Sequence, residues 1–110
     1  MPEEAGQIQA AQEGLQQLDG LLQHRGRLGI CVLLASADLM SFSRLKELLG
    51  ETDGNLGAQL RKLEDAEYLS VKKEFVKRKP VSWYSLTRMG RRALEAHLAA
   101  MEALISAAKG

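Results

Sequence analysis

Residues 52–63 read TDGNLGAQLRKL, and residues 81–90 read VSWYSLTRMG. In the first stretch, Thr52 precedes three leucines at the three- and four-residue steps of one helix face, Leu56, Leu60 and Leu63. Threonine is a favoured N-cap because its side chain accepts a hydrogen bond from an orphan amide of the first turn. We therefore expect a helix that begins after Thr52 and buries these leucines.

A shorter helix is expected just before it. Ser43 is the expected N-cap, the helix ends near Leu49, and Gly50 supplies the C-terminal stop. About three residues then separate the two helices, which predicts a tight helix-turn-helix. Upstream, residues 25–35 are almost continuously apolar and predict a buried central helix, and residues 36–42 predict a loop with a short extended piece.

After Tyr68 the apolar pattern changes to a period of two, which predicts strands. Two such runs, residues 69–75 and 81–86, flank a basic turn at residues 77–80. This pattern predicts a β-hairpin with a charged tip. We expect Phe75 to pack in the hairpin or the core, together with the aromatic residues Trp83 and Tyr84.

Two further helices are expected at the ends of the chain, about residues 7–23 and, after the N-cap Thr87, about residues 88–106. Apolar residues form a seam along both, although in the second helix the choice between Leu98 and His97, and between Ala93 and Leu94, stays open. Uncovered, such seams form an apolar patch that is unusual for a monomer. We therefore predict that the terminal helices pair across a two-fold axis in a homodimer, through Ile8, Leu15, Leu18, Leu22, Leu94, Leu98, Met101 and Ile105.

The composition excludes several classes of protein. A chain of 110 residues, 45% apolar and 26% charged, is typical of one globular domain. No apolar run approaches the roughly 20 residues of a membrane span, and the acidic N-terminus lacks a signal core, so we expect a cytoplasmic protein. The single Cys31 forms no internal disulfide and is expected to be buried. With two histidines besides, a zinc site is not expected, and no cofactor is predicted.

The net charge of +1 conceals an uneven distribution of charge. Residues 1–60 carry four basic and eight acidic groups, a balance of −4. Residues 61–92 carry ten basic and four acidic groups, a balance of +6. A local excess of this size attracts a polyanion even when the total charge is close to zero.

The order of the predicted elements is that of a winged helix. The stretches 43–49, 52–56, 60–64 and 68–75, followed by Trp83-Tyr84-Ser85-Leu86-Thr87 and Gly90-Arg91, resemble the winged-helix transcriptional regulators of the MarR and ArsR groups, and the resemblance covers about residues 25–98. One departure is Glu67, which stands where the family commonly has glycine.

The resemblance implies a fold class of α+β, mainly α, a winged helix-turn-helix with a two-stranded β wing. The chain then divides into an N-terminal helical extension for dimerisation (1–24), a winged-helix DNA-binding core (25–87) and a C-terminal helix for dimerisation (88–110).

The same resemblance implies a role in transcription, and the residue types indicate where duplex DNA would bind. Asn55 suits bidentate recognition of adenine, and Arg61 suits guanine or a phosphate. The cations of the hairpin tip suit a minor groove or the flanking backbone. The predicted DNA-binding residues are Thr52, Gly54, Asn55, Ala58, Gln59, Arg61, Lys62, Lys77, Arg78 and Lys79. A dimer would read a pseudo-palindromic site with half-sites about one helical turn apart.

Two other possibilities follow from the sequence. A winged-helix protein-interaction module, without sequence-specific DNA binding, is the alternative that the small, nearly uncharged stretch 54–58 favours. An unknown small-molecule effector, held between dimer helices, is also left open. No nucleophile–base arrangement and no catalytic pair of carboxylates emerges from the sequence, so we do not expect an enzyme.

Overall fold

The computed structural model describes residues 2–110. In chain order, these residues form α1 (Pro2–Gln17), the 3₁₀-helix η1 (Gly20–Gln23), α2 (Arg25–Ala37), β1 (Met40–Ser41), α3 (Phe42–Leu49), α4 (Asp53–Asp65), β2 (Leu69–Val76), β3 (Lys79–Leu86) and α5 (Arg88–Lys109). The predicted class, mainly α with a β wing, is confirmed. Across the described residues, no helix has both the length and the apolar character needed to cross a membrane.

The strands form one antiparallel sheet in the order β1-β3-β2. The hairpin of β2 and β3 runs in register from Leu69 opposite Leu86 to Val76 opposite Lys79. Its loop is therefore only Lys77 and Arg78, since the following residue already pairs in β3. The predicted turn over residues 77–80 was too long, because proline is tolerated in an edge or first strand position and does not by itself mark a turn.

The core lies between α2, α3, α4 and the base of the hairpin. Leucines that the sequence places on one face of α4 are buried as predicted, and Cys31 in α2 is buried with them. Tyr84 covers this core from β3. The central members of the cluster are Leu22, Ile30, Leu34, Leu45, Leu56, Leu60, Leu63 and Leu94.

The helix-turn-helix is formed by α3 and α4. Gly50 ends α3 in the left-handed conformation (φ 63°), and Thr52 caps α4 by accepting the N–H of Asn55 at 3.2 Å. The predicted N-cap of α3 was wrong by two residues. Ser41, not Ser43, accepts the N–H of Arg44 at 3.1 Å, because β1 ends directly at the cap.

The terminal helices α1 and α5 pack against each other within one chain and contribute to a molecule 67 Å long. At Gly14 they approach so closely that an added Cβ would lie 3.3 Å from the carbonyl oxygen of Ala100. The sequence predicted one helix over residues 7–23. Instead α1 ends at Gln17, because the Asp19 carboxylate accepts the N–H of Leu21 at 2.9 Å and begins η1.

Candidate nucleic-acid interface

The outward face of α4 carries small and polar residues. Gly54, Asn55 and Ala58 are exposed along its first half, and Arg61 and Lys62 are exposed along its second half. No heavy atom outside the helix's own backbone lies within 4 Å of a Cβ built on Gly54 or on Gly57. The backbone of this helix is therefore open to close approach by a large ligand.

One residue expected on this face points elsewhere. Gln59 is half-buried, and its Oε1 accepts a hydrogen bond from the Arg27 guanidinium at 2.6 Å. Arg27 also donates through Nε to the carbonyl oxygen of Leu21 at 2.6 Å. Gln59 therefore joins α4 to α2, and we leave it out of the interface.

The wing places three cations together at its end. Lys77, Arg78 and Lys79 are exposed, and in the described chain no ion pair involves any of them. Lys77 and Arg78 both have positive φ, 51° and 67°. This is the backbone of a two-residue hairpin loop, for which Asn-Gly is the favoured sequence because a Cβ is disfavoured in the left-handed region.

A cleft of about 570 Å³ separates α4 from the wing. Arg61 lines one wall, and Lys73 and Ser82 line the other. Glu64 and Asp65 also border it, so the charge inside the cleft is mixed. The net excess of positive charge therefore lies at the wing tip rather than at the cleft floor.

The aromatic residues of the hairpin divide between two environments. Tyr84 is buried, as predicted, and the half-buried Trp83 donates its indole N–H to Glu74 Oε1 at 2.9 Å. The expectation that Phe75 packs in the hairpin or the core was wrong. Its side chain is 78% exposed, because β2 extends beyond the helices that cover the base of the sheet.

The predicted dimerisation residues divide into three groups by their burial. Leu22 and Leu94 are in the core cluster of the chain itself, with 0% and 3% of their surface exposed, so they are not free to meet a partner. Leu18 and Met101 are half-buried, and together with His97 they border an apolar cavity of about 410 Å³. Four large residues stay exposed: Ile8, Leu15, Leu98 and Ile105.

Both histidines have structural partners. His24 caps α2 by accepting the N–H of Gly26 at 3.0 Å, and the buried His97 accepts the N–H of Asp19 at 2.9 Å. Of the alternatives Leu98 and His97 for the seam of α5, His97 is therefore the buried residue. Among residues 2–110, no three His, Cys, Asp or Glu side chains are grouped so as to hold a metal ion.

Comparison with known proteins gives the class to which this fold and surface belong. A family model described as a winged helix DNA-binding domain matches residues 27–105, and the chain belongs to that family. The winged-helix DNA-binding domain that the sequence indicates is thereby confirmed.

Individual proteins are similar over most of the chain. An uncharacterized protein of Methanocaldococcus jannaschii is 35% identical over 72 residues, which are 66% of this chain and 78% of the relative. The structure of a transcriptional regulator homologue from Pyrococcus horikoshii OT3 has a TM-score of 0.78 and 26% identity, covering 89% of this chain and 95% of that one. A mutant MarR from E. coli, with a TM-score of 0.68, 16% identity and coverage of 93% and 79%, has the same fold.

Proposed function

We propose that this chain is a homodimeric transcriptional regulator that reads a pseudo-palindromic duplex through α4 and the wing. The observation that carries the proposal is the wing tip, where Lys77 and Arg78 occupy left-handed positions that glycine or asparagine would fill at lower cost. Left-handed non-glycine residues cost on the order of 1 kcal/mol or more and persist where function requires them. Because two adjacent cations occupy these costly backbone conformations, we infer that their side chains contact phosphate.

On the reading helix, the proposal assigns base contacts to Asn55 and Arg61. Both are exposed on α4, and their side chains match adenine and guanine edges in a major groove. Gly54 and Ala58 allow the helix to approach the groove closely. Thr52 at the N-terminus of α4 and Lys62 near its C-terminus are assigned to phosphates.

A second copy of the chain is proposed to cover the terminal apolar face, by which we mean Ile8, Leu15, Leu98 and Ile105. Within the chain, α1 packs against α5 at Gly14, and Ala10 and Ala11 border grooves between the two helices, while these four larger residues remain exposed. Residues seven apart on a helix differ in direction by about 20°, so each helix presents its two exposed residues on one side. Ile8 borders a groove with Leu104 and Ala108 of α5, and Ile105 lies next to Leu104 in sequence. An apolar face shared by two helices is typical of an oligomer interface.

Two-fold symmetry then sets the geometry of the DNA site. Each α4 enters a major groove, and the two half-sites lie about 10 base pairs apart or a multiple of that distance. Few side chains of α4 are long enough to read bases. We therefore expect modest specificity, with the shape of the DNA supplying part of it.

The experiment that tests this function is selection of duplexes from a random pool, followed by affinity measurement. The wild-type protein is expected to enrich an approximately palindromic sequence. Asn55→Ala is expected to relax one position in each half-site and to weaken binding to the enriched duplex by about 1–3 kcal/mol, with a much smaller effect on random DNA. Gln16→Ala, on the exposed surface of α1, is the matched control and is expected to bind like the wild type. A protein that enriches no sequence and binds no duplex would refute the proposal and favour the protein-interaction module.

The dimer has a separate test. Light scattering at micromolar concentration is expected to give twice the mass of the chain. Leu15→Glu places a charge in the terminal apolar face and is expected to give monomers, whereas Gln16→Glu places the same charge on an exposed neighbour and is expected to leave the dimer intact. A wild-type protein that is monomeric under these conditions would contradict the dimer.

A further inference from the structure

Phe75 is the most exposed large apolar residue in the described part of the chain, with 78% of its surface accessible. It lies in β2, two residues before the cationic tip. Its neighbours in sequence and across the hairpin include Lys73, Lys77 and Lys79. An uncovered aromatic ring among cations is not accounted for by core packing or by solubility.

The register of the hairpin shows which way Phe75 faces. Phe75 pairs with Pro80; the next pair on the same face is Lys73 with Ser82, which line the cleft toward Arg61. The pair after that includes the buried Tyr84. Because side chains alternate along a strand, Phe75 and Pro80 continue the face of the wing that looks toward α4.

The length of the wing suits the spacing of grooves on DNA. An antiparallel strand rises about 3.4 Å per residue, so the four steps from Val71 at the core to Phe75 span roughly 14 Å, and the six steps to Lys77 span roughly 20 Å. A full turn of B-DNA is about 34–36 Å, so a minor groove lies about half that distance from the centre of the neighbouring major groove. With α4 in the major groove, Phe75 is therefore expected to reach the adjacent minor groove.

We propose that Phe75, supported by Pro80, is an apolar wedge that enters this minor groove and bends the duplex. The proposal rests on the DNA-binding function proposed above and extends it to a named residue. Apolar side chains that enter a minor groove partly unstack a base step and kink the duplex, most easily at flexible pyrimidine–purine steps. The surrounding cations would hold the phosphates on either side of the groove.

The cations also identify DNA as the occupant of this apolar surface. Lys73 lies on the same face of β2 as Phe75, and Lys77, Arg78 and Lys79 follow at the tip. No acidic residue lies between positions 75 and 87. Such a surface is complementary to a polyanion that has an apolar interior between its phosphates. A duplex has this character, because its sugars and bases lie between two charged backbones.

The test measures bending and affinity on the duplexes that the wild-type protein enriches. Energy transfer between fluorophores at the two ends reports the bend, and 2-aminopurine fluorescence reports unstacking in the flanking minor grooves. Phe75→Ala is expected to weaken binding about tenfold, a change of about 1.4 kcal/mol, to abolish the bend and to leave the salt dependence unchanged. Phe75→Leu, which keeps an apolar wedge, is expected to retain most of the bend.

Two variants serve as matched controls. Val76→Ala removes an exposed apolar side chain from the opposite face of the same strand and is expected to behave like the wild type. Lys79→Ala removes a charge and is expected to make the salt dependence shallower while the bend remains.

Each contrary result has a distinct meaning. If the wild type binds duplexes without bending them, or if Phe75→Ala keeps the wild-type affinity and bend, the wedge is refuted while DNA binding stands. If Phe75→Ala makes the salt dependence shallower, as Lys79→Ala does, the residue acts through the position of the cations and the wedge is also refuted. If the wild type binds no duplex, both proposals are refuted.

Discussion

The imidazole of His97 accepts the backbone N–H of Asp19 at 2.9 Å, which joins α5 to the residue that begins η1. The Asp19 carboxylate in turn accepts the hydroxyl of Tyr68 at 2.5 Å. Tyr68 lies three residues after the end of α4 at Asp65, so these hydrogen bonds tie α5 and the start of η1 to the segment that follows the reading helix. The orientation of α4 relative to the proposed dimer helices is therefore fixed by specific polar contacts as well as by apolar packing.

Removing the hydroxyl of Tyr68 is expected to destabilise the fold. Tyr68→Phe loses a hydrogen bond to a carboxylate, so we expect the free energy of unfolding to fall by about 1.5–3 kcal/mol, measured by urea denaturation. Ser70→Ala, which removes a hydroxyl bonded only to the Ser85 hydroxyl at an exposed site, is the control and is expected to cost less. Equal stability of Tyr68→Phe and the wild type would contradict this role of Tyr68.

Replacing the wing tip by Asn-Gly is expected to separate stability from DNA binding. The double variant Lys77→Asn and Arg78→Gly relieves two left-handed non-glycine residues, so we expect thermal unfolding at a higher temperature, corresponding to about 1 kcal/mol or more. Its affinity for duplex DNA is expected to fall. Lys79→Ala, outside the loop, is expected to lose affinity without gaining stability. A tip variant that is less stable than the wild type would show that the loop carries no conformational cost.

Replacing Glu67, just after the end of α4, is expected to give a similar gain in stability. Its φ is 65°, and the N–H of Tyr68 donates to the carbonyl oxygen of Leu63 at 2.9 Å, the pattern that usually has glycine at this position. Glu67→Gly is therefore expected to raise the free energy of unfolding by about 1 kcal/mol, measured by denaturant titration. Glu67→Ala keeps a Cβ and is expected to give no such gain; an equal gain in both variants would contradict the backbone explanation.

Stability is expected to fall at alkaline pH. Burial, and to a smaller extent the charge of Asp19, raises the pKa of Cys31 from 9.0 to about 12. Burial and the hydrogen bond to Asp19 raise the pKa of Tyr68 from 10.0 to about 12. Between these values the folded chain holds protons that the unfolded chain has lost, so the free energy of unfolding decreases as pH rises from about 9 to about 12.

Denaturant titrations at a series of pH values measure this dependence. The stability contributed by the two groups is fully present below pH 9. In Cys31→Ala the decrease is expected to begin nearer pH 10, since the groups with a raised pKa are then the tyrosines Tyr68 and Tyr84, whose ordinary pKa is 10.0. A stability that stays level from pH 8 to pH 12 would contradict the prediction.

The sequence predicted the helix-turn-helix and the hairpin because each is encoded locally. Thr52, Gly50 and the leucines of α4 satisfy short-range rules of capping and periodicity, and the structure confirms them. Gly90 was also among the residues that carry the resemblance, although glycine is needed there because of a tertiary contact and not because of local structure. An added Cβ there would lie 2.1 Å from the carbonyl oxygen of Tyr68, so α5 crosses the chain too closely for a side chain.

The sequence could not predict which apolar residues are exposed, because that depends on where the core ends. The alternating pattern of β2 continues through Phe75, but the helices that cover the sheet stop short of it, and periodicity contains no information on that boundary. The same holds for the terminal helices. Leu22 and Leu15 follow one seam in sequence, yet the first is buried in its own chain and the second is exposed, because α1 ends at Gln17 and Leu22 belongs to η1.

The most direct test of DNA binding by this surface is the salt dependence of duplex affinity, compared between the wild type and the tip variant Lys77→Asn and Arg78→Gly. For the wild type, the logarithm of the association constant is expected to fall steeply and linearly with the logarithm of salt concentration. If both cations contact phosphates in both half-sites, the slope of the variant is expected to be shallower by about 3 to 4, since each lost contact contributes about 0.9. Absence of duplex binding by the wild type, or the same slope in the two proteins, would contradict the account.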